Sequence, residues 1–457
     1  ISEKILMDLW NYLGSNKYNT SAFSIVLDLP IDLTNFKEEL NEFQFSLYLH
    51  EYIHFLQDIS TMYGLMKLSD IILYTKAQAA YAVSKRISNI KIPAHAPSDV
   101  RLFSYVKRNY DLMPIYMGDT VRTLPRDNKH PFDKSIVKIV AIEEKLIIKP
   151  NIKEKIETLR VTIEDRNGNK ESIVFGGEII CENMASMAEH GYLANLNKVP
   201  ASPTTEYPYR LAEKLAEYIY PNITTIPTEW IFWMMDLCLS TAFNPGYVFY
   251  LLIKELKDVD FANNPNDEKL LDILKNIVNG GRYKLEDMYK EILDEFDQIF
   301  YLPMFKANKD WLKAEFERIL FLRQNPRIMR YFMQYDGDGL SRVAKIVIDL
   351  LGHPTVKNDL SEAIIKPPAK ALQFHQVMNI CLWYFEAYKE VFLALNSRGH
   401  HCQMYKDCIR SKIISNDVKR TGICPEQQSI YSAVIPKSLC PFGVFWRSLG
   451  LWGKKPV

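Results

Sequence analysis

Five consecutive residues of this 457-residue chain have the types and spacing for metal chemistry: His50-Glu51-Tyr52-Ile53-His54. On a helix, positions i and i+4 lie one turn apart on the same face, so the two imidazoles turn toward one point. Imidazoles so placed can hold one Zn²⁺ at about 2.0–2.1 Å each. Glu51, one residue along, reaches a water on that ion without being a ligand itself. The chemistry implied is metal-assisted hydrolysis: the metal lowers the pKa of water toward about 7 and Glu51 serves as general base. The competing reading is a buried helix whose two histidines are satisfied by core hydrogen bonds. Against it, two His and a Glu on an apolar helix face carry a desolvation cost that a function offsets.

The flanking residues must build the helix. Phe43, Leu47, Ile53, Leu56 and Ile59 keep helical spacing, and no Gly or Pro falls between Asn35 and Tyr63. The spacing predicts a helix over 36–59, resuming over 65–87. Upstream, Ser21–Leu29 has strand character and ends at Pro30. As an exposed sheet edge beside the helix, it would let an extended peptide pair by strand addition. Ile136–Ile148, Thr158–Ile163 and Glu171–Phe175 read as strands, with Asp165–Asn169 as a hairpin turn. Gly176-Gly177 then opens a helix to about Leu196, and most of the chain beyond is helical by periodicity. The fold class predicted is α+β, predominantly helical with a small β-sheet. Its expected parts are a catalytic domain over 1–245, with an insertion at about 65–175, a helical domain over 246–397 and a tail over 398–457.

A catalytic zinc site takes three protein ligands plus water. A third His six residues after His54 is absent, since Ser60 stands there. The helix after Gly176 offers Glu178 and Glu182, one turn apart on a face, and His190 two turns beyond Glu182. His50-Glu51-x-x-His54, followed by Glu182-Asn183-Met184-Ala185-Ser186, resembles the gluzincin group of zinc metallopeptidases. The resemblance covers these two short motifs. It implies a zincin-like catalytic domain, a catalytic Zn²⁺ held by His50, His54 and Glu182, Glu51 as general base, and a peptide or protein substrate. Glu178 and His190 stay open as rival ligands. Asp58, acidic where some members of the group are acidic, would support the ligands. The chain departs from the group in the 127 residues between His54 and Glu182, and in Ser186, where many members have Asp. The oxyanion donor is open among Tyr192, Tyr207, Tyr209 and His190.

A second cluster lies near the C-terminus. Four of the seven cysteines, Cys402, Cys408, Cys424 and Cys440, fall within the last 56 residues. Four thiolates there could hold a structural Zn²⁺ or an Fe–S cluster, although the spacing is not the C-x2-C of common zinc modules. Residues 398–457 carry ten Lys/Arg against three Asp/Glu, in a chain whose formal net charge is only +1. Nucleic-acid binding is therefore expected, if at all, through this tail. The aromatic run Phe442–Trp452 either folds back on the core or docks a regulatory partner. An odd cysteine count in so long a chain reads as a reducing, cytoplasmic setting rather than a disulfide framework. No apolar run reaches the roughly 20 residues of a bilayer span. Besides a peptidase, two other functions fit: a non-catalytic metal- or partner-binding protein on the same scaffold, and a hydrolase gated by a nucleic-acid- or redox-sensing tail.

Overall fold

A computed structural model of the chain describes residues 17–28, 40–94, 112–119, 132–149, 154–198, 205–241, 243–278, 284–335, 339–352, 354–358, 362–363, 378–404, 408, 424–432 and 440–457. It is predominantly helical with small sheets. Strands β1 (Lys17–Asn19) and β2 (Ser24–Val26) precede the helix pair α1 (Glu42–Ser60) and α2 (Met62–Ser84). Strand β3 (Asn89–Ile90) follows, then a meander of β4 (Val137–Lys149), β5 (Glu154–Asp165) and β6 (Lys170–Phe175), then α3 (Gly177–Asn195). Among the described residues, the short helical turn Glu206–Tyr209 and then eight further α-helices follow: α4 (Leu211–Ile219), α5 (Thr228–Thr241), α6 (Pro245–Asp258), α7 (Asp267–Val278), α8 (Leu285–Ile299), α9 (Lys306–Arg323), α10 (Ile328–Phe332) and α11 (Arg342–Leu351). Strands β7 (Thr355–Lys357) and β8 (Glu362–Ala363), helices α12 (Met378–Asn396), α13 (Pro425–Tyr431) and α14 (Pro441–Ser448), and β9 (Lys455–Pro456) complete it. No helix among the described residues is long and apolar enough to cross a membrane.

Helix α1 starts where its sequence permits a stop to the preceding chain. Asn41 caps it: its Oδ1 accepts from Gln44 N at 3.0 Å, and Gln44 Oε1 accepts from Asn41 N at 3.1 Å, a reciprocal capping box. It ends at Thr61, whose extended backbone turns the chain and whose Oγ1 caps α2 through Gly64 N at 3.0 Å. A Cβ on Gly64 would lie 2.3 Å from the Gln57 carbonyl, so this close return of α2 onto α1 requires glycine. Gly177 plays the matching part for α3, since a Cβ there would meet the Tyr63 ring at 2.4 Å. With these approaches made, α1 packs along α3 over a shared core that includes Leu49, Ile53, Leu56, Met184 and Ala188.

Strand order in the first sheet is β1-β2-β7-β8, with β2 and β7 parallel. Ser21–Leu29 therefore does not supply a free edge. Its strand is the interior β2, flanked on both sides, because buried Ile25 and Leu27 favour a covered position. The terminal strand beside α1, among the described residues, is β1. β3 pairs with β9, and β2 with β7, so early and late parts of the chain share sheets. The aromatic run at the C-terminus folds back: Phe445 stacks on Phe305 at 4.4 Å, and Trp446 is fully buried.

Candidate metal centre

Three of the residues selected by spacing meet between α1 and α3. His50 Nε2 and His54 Nε2 each lie 3.6 Å from Glu182 Oε2, and the three ligand atoms fall within 4.8 Å of one another. Two atoms bound at about 2.0–2.1 Å to one tetrahedral ion stand roughly 3.4 Å apart, so the donor set fits Zn²⁺ with little adjustment. Glu182 is 3 % exposed while the histidines are 12 % and 17 % exposed, so the group is anchored inside and open on the imidazole side.

Hydrogen bonds set the tautomer of both histidines. His50 Nδ1 lies 3.0 Å from Glu189 Oε2; a carboxylate can only accept, so Nδ1 carries the proton and Nε2 presents its lone pair. Gln57 Nε2 donates to the Cys181 carbonyl at 3.1 Å, which turns Gln57 Oε1 toward His54 Nδ1 at 2.9 Å. His54 is thereby fixed the same way, with Nε2 facing Glu182. Such outer partners orient metal-ligating imidazoles and raise their basicity. Burial, the charge of His50 and Lys67 keep His54 well below the ordinary histidine range, hence neutral. For His50 burial acts downward too, but the Glu189 bond and the charge of Glu51 outweigh it and raise its pKa.

Burial pushes the Glu182 carboxyl up to about 8, a penalty on its anion that a nearby cation would reverse. Glu51 is pushed up to about 7 by burial, against the opposing pull of His50 and of the Tyr18 backbone N–H of β1. A carboxylate near neutrality is suited to accepting and returning a proton.

The remaining candidates are placed elsewhere, except one. Glu178 accepts from Tyr63 Oη at 2.7 Å and pairs with Lys67 at 3.0 Å, on the side of α3 toward α2. His190 Nδ1 turns back on Ser186, 2.6 Å from its carbonyl and 3.0 Å from its Oγ. Asp58 pairs with Lys67 at 3.4 Å and does not support the histidines; Glu189 and Gln57 do. Tyr207 Oη donates to the Asp119 carbonyl at 3.0 Å, and Tyr192 packs on Phe45. Tyr209 is the tyrosine at the site, its ring edge-on to His50 at 5.9 Å. Burial and the charges of Glu182, Glu51 and Glu189 raise its pKa, so it stays a phenol and a donor. Just beyond Tyr209, Asn183 pins the start of α4 to α3: its Oδ1 accepts from Ala212 N at 2.9 Å and Glu213 N at 3.1 Å. Glu189 escaped the spacing argument although a signal exists, since it stands seven residues, two turns, after Glu182 on one helix face.

Searches against protein-family models, curated proteins and solved structures return no match for this chain.

Proposed function

We propose that this chain is a zinc-dependent hydrolase, and that it cleaves peptide bonds in a peptide or protein substrate. The observation that carries the proposal is the convergence of His50 Nε2, His54 Nε2 and Glu182 Oε2 within 4.8 Å, with Glu51 and Tyr209 beside them. A Zn²⁺ held by those three atoms would supply Lewis acidity and an acidified water. The chain's own groups supply the rest. A Glu51 carboxylate oxygen takes the proton of the attacking water and returns it to the leaving amine nitrogen as the C–N bond breaks. The Tyr209 hydroxyl donates to the oxygen that gains charge as the carbonyl is attacked. Glu189 and Gln57 hold both imidazoles in the tautomer that leaves Nε2 unprotonated. The Tyr18 backbone N–H of β1 also engages Glu51 and helps hold its carboxylate at the site. In this reading the zincin-like part includes α1 and α3, and the resemblance to gluzincins rests on the motifs alone.

The test is hydrolysis of a denatured-protein substrate and a peptide library by the zinc-loaded chain, beside Glu51→Gln. Cleavage by wild type, with loss in Glu51→Gln at unchanged metal content, is expected. Equal cleavage by both proteins would overturn the proposal.

A further inference from the structure

The four late cysteines are separated by five, fifteen and fifteen residues, a spacing that does not by itself make a site. The fold brings them to one place. Cys402, Cys408, Cys424 and Cys440 all border a single small cavity, and all four are buried as thiols, not disulfides. We infer that this cavity is a structural zinc site in which the four cysteines bind one Zn²⁺ and lock the C-terminal segment onto α12.

Each thiol is presented by a built support, Cys408 by its backbone N–H donating to the Met404 carbonyl at 2.9 Å. Cys402 sits on a turn held by α12: buried Glu390 accepts from Gln403 N at 2.7 Å and lies 2.9 Å from His400 Nε2, and Cys402 N donates to Gln427 Oε1 at 3.3 Å. Gln427 is itself fixed by its Nε2 donating to Tyr431 Oη at 2.9 Å. Cys440 is the N-cap of α14, with its Sγ accepting from Gly443 N at 3.4 Å and Pro441 opening the helix. Cys424 stands directly before Pro425, which opens α13. The two Cys-Pro pairs thus have a structural meaning: proline starts the helix and the preceding thiol is left aimed at the cavity. A divalent cation would hold these buried sulfurs as thiolates. The donor type selects zinc over calcium or magnesium, which take oxygen.

Among the described residues, only the His50, His54 and Glu182 set already brings three ligand atoms within 4.8 Å of one another. Closure of the four sulfurs to about 2.3 Å from an ion therefore draws their segments together, and loading should tighten the tail.

The experiment is elemental analysis and cobalt substitution of the full chain, in wild type, His54→Ala and Cys424→Ser. His54→Ala disables the first site, so its remaining metal reports the cysteines independently of any hydrolase activity. One zinc per chain in His54→Ala is expected, replaced by Co²⁺ with a strong thiolate-to-cobalt charge-transfer band. Cys424→Ser should lose that zinc and that band and become more sensitive to proteolysis between α12 and α14. Should Cys424→Ser fail to fold, the spectrum of cobalt-loaded His54→Ala decides alone. Absence of the band, iron with inorganic sulfide in place of zinc, or cysteines recovered as disulfides under reducing purification would each overturn the inference.

Discussion

Glu189 Oε2 lies 3.0 Å from His50 Nδ1, and this contact decides which nitrogen of His50 is available to a metal. Replacing Glu189 by Ala leaves Nδ1 without its acceptor and frees the ring to change tautomer. Partners of this kind support metal affinity by about 10–100-fold. Glu189→Ala should weaken zinc binding by that factor in a chelator competition titration, with the far-ultraviolet circular dichroism unchanged. Unchanged affinity would show that His50 needs no orienting partner.

Tyr209 stands edge-on to His50 with its hydroxyl kept protonated by burial and by three nearby carboxylates. If it donates to the developing oxyanion, Tyr209→Phe removes an interaction made chiefly in the transition state. Loss of one such donor costs about 10²–10³ in kcat. Steady-state kinetics should show that loss with KM and zinc content little altered. A change confined to KM would reassign Tyr209 to substrate binding.

Lys67 is the shared cation of Asp58 and Glu178, 3.4 Å and 3.0 Å away, in a buried junction of α1, α2 and α3. Burial opposes its charge, yet the two carboxylates raise its pKa. Lys67→Ala strands both anions, and breaking a buried pair from one side costs about 3–5 kcal/mol. Urea unfolding should register a loss of that size, whereas removing all three charges with apolar residues of similar volume should cost far less.

Glu386 of α12 receives Lys357 of β7 at 2.8 Å, Lys389 at 3.2 Å and the Ser24 hydroxyl of β2. Burial alone would raise its pKa, but the two lysines and the hydroxyl outweigh it and hold it well below the usual carboxylate range. A depressed pKa contributes stability that is fully present above the unfolded value of about 4.3 and lost as pH falls toward the folded one. Glu386→Gln should therefore be less stable than wild type near neutrality, with the gap in urea midpoint narrowing below about pH 4.3. A gap that is constant down to acid pH would contradict the ion-pair explanation.

Much of this was legible in the residues. The i, i+4 histidines, the apolar spacing and the Asp165–Asn169 turn each follow from local periodicity; the β4–β5–β6 meander and α3 form where those patterns place them, while α1 begins only at Glu42, capped by Asn41, and residues 36–39 of the expected helix lie outside the described residues. What resisted reading was contact at long range. Nothing local tells Glu178 from Glu182; the difference is that Lys67 and Tyr63 of α2 engage the first. Asp58 looked suited to supporting His54 by sequence distance, but it points to Lys67, and Gln57 takes the role because its amide is oriented by Cys181. Ser21–Leu29 reads as a strand, yet whether a strand is edge or interior depends on β7, more than three hundred residues later. The four late cysteines converge only through the packing of α12, α13 and α14.

The most direct test of the central claim is zinc stoichiometry at the His50, His54 and Glu182 site alongside peptide cleavage. It compares wild type, Glu51→Gln and Glu182→Ala in a Cys424→Ser background, where the tail contributes no metal. One zinc per chain in the first two, cleavage only in the first, and neither zinc nor cleavage in Glu182→Ala is the expected result. A folded protein of that background that binds no zinc at all, or that cleaves as well with Glu51→Gln, would contradict it.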